Sequence, residues 1–289
     1  MRRTAVFALV WLTVAIAATS AFAARYASII IEQKTGRVLH AANPDRRAYP
    51  ASLTKMMTLY LVFDALESGR LRLDRKLKVS RRAAGRSASK LGLKRGQTIS
   101  VGDIIGALVT KSANDAAAVI AEALGKTEAG FARQMTRKAR ELGMTRTTFR
   151  NASGLPHRRQ VTTARDMATL SMALVRDFPK YYRNFSRASF KYKGRRYRNH
   201  NYLLRRVEGV DGIKTGYTRA SGYNLAVSAK RGDRRLVGVV FGGKSRRWRD
   251  AHMTRLLNTA FDTLNGVKTP AVAKKKSKTR KRRARTNRK

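Results

Sequence analysis

Tyr49-Pro50-Ala51-Ser52-Leu53-Thr54-Lys55-Met56-Met57-Thr58 leads into a run, residues 53–66, that is apolar at almost every position and closes at Ser68-Gly69. The pattern predicts a buried helix with a glycine stop. Ser52 and Lys55 are three residues apart, so in a first helical turn their side chains share one face and a hydroxyl can meet an amine. A lone serine at a helix start is more often an N-cap. The lysine argues against that reading, because an ammonium carried on an apolar helix needs a polar cavity or a partner to offset its desolvation.

Two later motifs give the pair a context. Ser112-Ala113-Asn114 falls between the apolar runs 104–109 and 116–124, so it reads as a turn between two core helices that could project a hydroxyl and an amide into a cleft. The competing role for Asn114 is to cap the second helix. Lys214-Thr215-Gly216 ends a strand-like run, 210–213, and two alternating segments follow, 223–229 and 235–241, joined by a turn at Lys230-Arg231-Gly232-Asp233. A strand edge bearing a side-chain-free glycine suits close approach of another backbone. Each outer motif has a double. Ser87-Ala88-Ser89-Lys90 lies in a Gly/Ser/Lys-rich stretch read as loop, and Lys34-Thr35-Gly36 lies in the expected turn of a hairpin formed by residues 27–32 and 37–41. Neither has the surroundings of a site.

The remaining elements follow from periodicity. Residues 131–142 and 163–175 read as helices, the second opened by a T-x-x-D capping pattern at Thr163 and Asp166. A last helix spans 246–264, with Trp248, Met253, Leu256, Leu257, Ala260, Phe261 and Leu264 at near-helical spacing. The N-terminal hairpin, the Lys214 strand and its following hairpin can form one antiparallel sheet. The expected class is therefore α+β, an antiparallel sheet lobe flanked by helices beside an all-helical lobe, with the three motifs in the cleft between them.

Composition narrows the chemistry. The 289 residues include no cysteine, and 64 Lys and Arg oppose 17 Asp and Glu, a formal charge of +47. A thiol nucleophile and cysteine metal sites are excluded. The four histidines, His40, His157, His200 and His252, form no H-E-x-x-H, and no G-x-S-x-G occurs, so neither a metal, a cofactor nor a histidine triad is expected. Arg2 and Arg3 precede an apolar run, 5–18, and Ala21-Phe22-Ala23 offers a small-x-small cleavage site. Residues 1–23 thus read as a secretory signal peptide, 24–266 as the catalytic domain and 267–289 as a disordered basic tail. The segment 274–289 holds 11 basic residues; setting it and the two leader arginines aside leaves 51 basic against 17 acidic, so the rest is still about +34. Such a charge favours polyanions. Export makes nucleic acid the unexpected partner and leaves reversible adhesion of the tail to anionic membrane or wall polymers.

With its three motifs in this order, about 60 and then 100 residues apart, the chain resembles the low-molecular-mass penicillin-binding proteins, the D-alanyl-D-alanine carboxypeptidase family of serine peptidases. The resemblance runs from about Tyr26 to about Leu264 and includes residues 148–156 and 210–218. It implies a catalytic set of Ser52 as nucleophile, Lys55 as base and Ser112 as proton relay. It further implies that Asn114 bonds the substrate backbone, that the N–H groups of Ser52 and Tyr217 form an oxyanion hole, and that Lys214, Thr215 and Gly216 hold the substrate's end, with Arg247 adding to the carboxylate site. Expected partners are peptidoglycan stem peptides and, as acylating inhibitors, β-lactams, in the periplasm or cell envelope. The implied reaction is removal of terminal D-alanine; alternatives are a D,D-endopeptidase of cross-links and an inactive cationic wall-binding protein. A class A β-lactamase would carry a glutamate in an E-x-x-L-N pattern between the second and third motifs, which Glu122, Glu128, Glu141 and Glu208 all lack.

Overall fold

The computed structural model describes residues 25–87 and 89–267. The signal peptide read at 1–23 and nearly all of the basic tail lie outside these residues. Among the described residues no helix is long and apolar enough to cross a membrane.

Three consecutive isoleucines decide the middle of the sheet. β1 (Ala27–Glu32) is buried along its whole length, which a strand tolerates only where both faces are covered. It pairs antiparallel with β2 (Val38–Ala42) on one side and with β5 (Arg234–Gly243) on the other, with Ile30 opposite Gly238. The hairpin of β4 (Gly222–Arg231) with β5 turns at Gly232, and β3 (Val210–Thr218) adds to β4 as the outermost strand, giving the order β2-β1-β5-β4-β3. The alternation expected in β4 and β5 is not seen: six consecutive residues of β4 and eight of β5 are buried. Helices on both faces are the reason. One face packs Ile29, Ala226 and Val239 on the main core; the other packs Ile30, Val227 and Val240 on Met253, Leu257 and Phe261 of the last helix.

The helical lobe is built around α1 (Thr54–Glu67), which buries 11 of its 14 residues and has no solvent face along most of its length. Around it lie α2 (Val101–Val109), α3 (Asn114–Gly125), α4 (Glu128–Glu141) and α5 (Ala164–Asp177). Thr163 caps α5 in keeping with its T-x-x-D pattern, its hydroxyl accepting from Asp166 N at 3.0 Å. α6 spans Arg246–Leu264 behind the N-cap Ser245. The lobe is not purely helical. Two short antiparallel ribbons, Lys76–Lys78 with Thr98–Ser100 and Ser189–Tyr192 with Arg195–Arg198, are too short and too basic to show as strand patterns.

Candidate active site

Chain geometry at the start of α1 sets the position of Ser52. Ala51–Leu53 form one 3-10 turn before the helix, and Ser52 makes no capping hydrogen bond. The cap reading therefore fails. Ala51 sits in the left-handed region at φ 48°, as does Ser112 at φ 59°, a conformation that costs a non-glycine residue about 1–3 kcal/mol and gathers at functional sites. Two glycines let the turn pack. Gly154, at φ +86°, lies so close that a Cβ would stand 1.8 Å from Ala51 O, and a Cβ on Gly216 would stand 3.1 Å from Ser52 N. Gly154→Ala is accordingly expected to displace the Ser52 turn and to lower stability by about 4 kcal/mol or more, in the range reserved for severe core changes. Thermal unfolding checks this; an unfolding temperature indistinguishable from the parent's contradicts it.

Lys55 is fully buried one helical turn on, and its ammonium nitrogen meets three oxygens: Ser153 O at 2.6 Å, Asn114 Oδ1 at 2.7 Å and Ser52 Oγ at 3.3 Å. Asn114 Nδ2 donates to Ser87 O at 3.0 Å, which fixes the orientation of the amide. Asn114 is the first residue of α3 rather than its cap, and both of its amide atoms are engaged within the protein; one Nδ2 hydrogen is left for a ligand. Burial, and next the charge of Lys214, hold the Lys55 amine well below its ordinary range, while Asp115 works weakly the other way. The arrangement has a chemical consequence. A neutral amine has two hydrogens and one lone pair, and the two close oxygens accept but cannot donate. In the neutral form they take the hydrogens, which leaves the lone pair for the Ser52 hydroxyl.

Ser112 Oγ is buried with no hydrogen-bond partner among the described residues and lines the same cavity, of about 480 Å³, as Ser52 and Asn114. Thr215, Gly216 and Tyr217 of β3 form the opposite wall. Lys214 does not reach the surface. It is 2% exposed with Nζ on Thr215 O at 3.1 Å, and burial, followed by the charge of Arg249, brings it down to about 7.

Arg247 is a correction. It lines an adjoining groove with Tyr202, Arg206 and Arg246 and does not line the cavity, which Arg246 and the 3% exposed Arg249 do. On a helix, positions i and i+3 share a face and i+1 is turned away by about 100°. His200 also lines the cavity, a neutral imidazole brought down to about 4 by burial and then by Lys214. Its neighbours are structural: Asn199 bonds Arg187 O and Asn201 bonds Gly212 O, both at 3.0 Å.

The Gly/Ser/Lys-rich stretch around Ser87 is loop at its described residues, 85–87 and 89–96, as expected, yet it belongs to the site. Ser87 contributes its carbonyl, and Ser89 lines the cavity while its carbonyl accepts from Asn114 N at 2.7 Å. Asp115 holds the loop by accepting from the N–H groups of Leu91, Gly92 and Leu93. Backbone oxygens such as Ser87 O and Ser153 O leave no side-chain signature, so no motif marks them. The Lys34-Thr35-Gly36 double sits in the β1–β2 turn with Gly36 at φ 71°. Among the described residues no group of three or more His, Cys, Asp or Glu is placed to hold a metal.

Comparison with known proteins gives a consistent family. The family model described as D-alanyl-D-alanine carboxypeptidase matches residues 13–245. The D-alanyl-D-alanine carboxypeptidase DacC of Escherichia coli is 37% identical over 254 residues, 84% of this chain and 64% of that one. DacF of Bacillus subtilis, also a D-alanyl-D-alanine carboxypeptidase, is 35% identical over 239 residues, 81% and 61% respectively. The chain thus spans somewhat under two thirds of these relatives. Penicillin-binding protein D2 of Listeria monocytogenes, solved in an ampicillin-bound form, superposes with a TM-score of 0.76 at 33% identity, covering 82% of this chain and 98% of that one.

Proposed function

Because the chain belongs to the D-alanyl-D-alanine carboxypeptidase family, we propose that it is a serine peptidase that removes the terminal D-alanine from peptidoglycan stem peptides through an acyl-enzyme on Ser52. The observation that carries this reading is the set of three oxygens around Lys55 Nζ. Ser52 Oγ attacks the carbonyl carbon of the scissile peptide bond as its proton passes to Lys55. The N–H groups of Ser52 and Tyr217 receive the developing oxyanion. Ser112, with its free hydroxyl, relays the proton to the departing amine, whose loss leaves the ester; water then releases it. The substrate's terminal carboxylate rests at the cationic end of the cavity, on Thr215, Arg246 and Arg249, with Lys214 adding its field from behind the wall.

Purified pentapeptide muropeptides incubated with the chain should yield free D-alanine. No D-alanine from monomers, with dimers split instead, would replace this reading with the endopeptidase one; no cleavage at all would remove both. Penicillin, whose strained amide carbonyl and carboxylate imitate those of the substrate's end, should acylate Ser52, in keeping with the ampicillin-bound relative. Export to the cell envelope rests on the leader pattern of residues 1–23, and adhesion to anionic surfaces on the basic residues of 267–289.

The two lysines predict a pH profile. Lys55 must lose its proton to act, so kcat/KM rises with pH on the acid side. Lys214 must keep its proton to attract the carboxylate, and at about 7 it loses it as pH rises further, giving a falling limb. A bound carboxylate favours the ammonium, so in kcat, which reports the complex, that limb moves to higher pH. Steady-state kinetics across pH checks this; a falling limb at the same pH in both parameters contradicts it.

A further inference from the structure

Of the two oxygens closest to Lys55 Nζ, one is the Ser153 carbonyl and the other, Asn114 Oδ1, is oriented by the Ser87 carbonyl; one buried carboxylate outside the cavity touches the segments that carry both carbonyls. Glu128, the first residue of α4, is 3% exposed. Its Oε1 accepts from Ala152 N at 3.3 Å, and Ala152 immediately precedes Ser153, whose carbonyl accepts from Lys55. Its Oε2 pairs with the Arg86 guanidinium, and Arg86 immediately precedes Ser87, whose carbonyl orients Asn114. Arg82 approaches the same oxygen at 3.5 Å. The Ala152 carbonyl in turn accepts from Thr58 Oγ1 of α1 at 2.7 Å, one turn beyond Lys55. An acidic residue in a first helical turn is ordinarily favoured by the helix dipole. That preference needs neither burial nor these partners.

We propose that Glu128 is a positioning residue for acylation: by tying Arg86 to Ala152 it holds the Ser87 and Ser153 carbonyls at the spacing that leaves the Lys55 lone pair on Ser52. The proposal rests on Ser52 being the acylated nucleophile. When the tie is cut, the two segments slacken, the hydrogens of the amine lose their fixed acceptors and water reaches Nζ. Because burial is the main reason the amine is held low, rehydration moves it back toward its ordinary range. Acylation then requires a higher pH. Of the other charges facing this region, Asp115 and Glu122 from α3 and Arg82 and Arg86 beside Glu128 keep their signs over the rising limb, and Lys214 from β3 titrates on the falling one.

The test uses the full chain with a fluorescent penicillin, separating initial binding from the acylation step across pH. Glu128→Gln keeps an acceptor for Ala152 N but loses the charge, and Glu128→Ala loses both. The acylation rate constant should fall by about tenfold to a hundredfold, the cost of a small misplacement of reacting groups, with alanine the more severe. Penicillin binding should stay unchanged, and the midpoint of the rising limb should move to higher pH. Arg86→Ala should reproduce Glu128→Gln, and Arg86→Lys should recover most of the rate, so the test survives if Glu128→Ala does not fold. A lowered rate with an unmoved midpoint, or unaltered acylation, overturns the role of Glu128. Absence of acylation in the wild-type chain instead overturns the reading of Ser52.

Discussion

Lys55→Met is expected to lower the rate of Ser52 acylation by about 10²–10⁴-fold, the usual contribution of a positioned base, while the protein stays folded. Methionine has similar length and no charge, and position 55 is fully buried. The change leaves Ser153 O and Asn114 Oδ1 without their donor, at a cost of about 1–3 kcal/mol each when a group is stranded. It also removes the need to hide an amine, which offsets part of that loss. The serine would remain with its turn intact, so a loss of rate without a loss of fold isolates the amine's chemistry. Acylation kinetics beside thermal unfolding reads both quantities. A Lys55→Met protein that acylates at the parent rate means that another group takes the proton.

Ser52→Ala should reduce both D-alanine release and penicillin labelling to background, because the hydroxyl that lies 3.3 Å from Lys55 Nζ is gone. Ser112 Oγ lines the cavity without a partner among the described residues, but its assigned task begins only after Ser52 has attacked the carbonyl. Stability should change little, since Ser52 is only partly buried, makes no capping bond and leaves its backbone N–H in place. Ser87→Ala is the informative companion. The site uses the Ser87 carbonyl, not its hydroxyl, so this variant should label almost as the parent does, even though Ser87 opens the second S-x-x-K. Labelling that survives Ser52→Ala and disappears in Ser87→Ala would reverse the assignment.

Side chains that act through chemistry of their own are legible in the sequence; groups that act through the backbone are not. The last helix is expected at 246–264 and is found at Arg246–Leu264, because its apolar spacing is a side-chain signal. Motif order groups Ser52, Lys55, Ser112 and Asn114, and the structure brings them together around one cavity. The Ser87 and Ser153 carbonyls carry no such mark, because any residue supplies a carbonyl. Arg249 rather than Arg247 lines the cavity, because correct helix bounds do not say which face of the first turn meets the cleft. Lys214 is expected as a ligand and is instead buried with its Nζ on Thr215 O, a placement set by tertiary packing that no motif records. The double coverage of β4 and β5 is hidden because alternation describes a sheet with one wet face, and this sheet has none there.

The most direct measurement is to react the wild-type chain with penicillin, digest it with trypsin and locate the adduct by mass spectrometry. Cleavage after Arg47 and Lys55 isolates Ser52 in the peptide 48–55, and cleavage after Arg86 and Lys90 isolates the competing serines in 87–90. One intact penicillin on peptide 48–55, at Ser52, is the predicted result. An adduct on 87–90, or a chain that forms no adduct at a pH where Lys55 is neutral, would contradict the account.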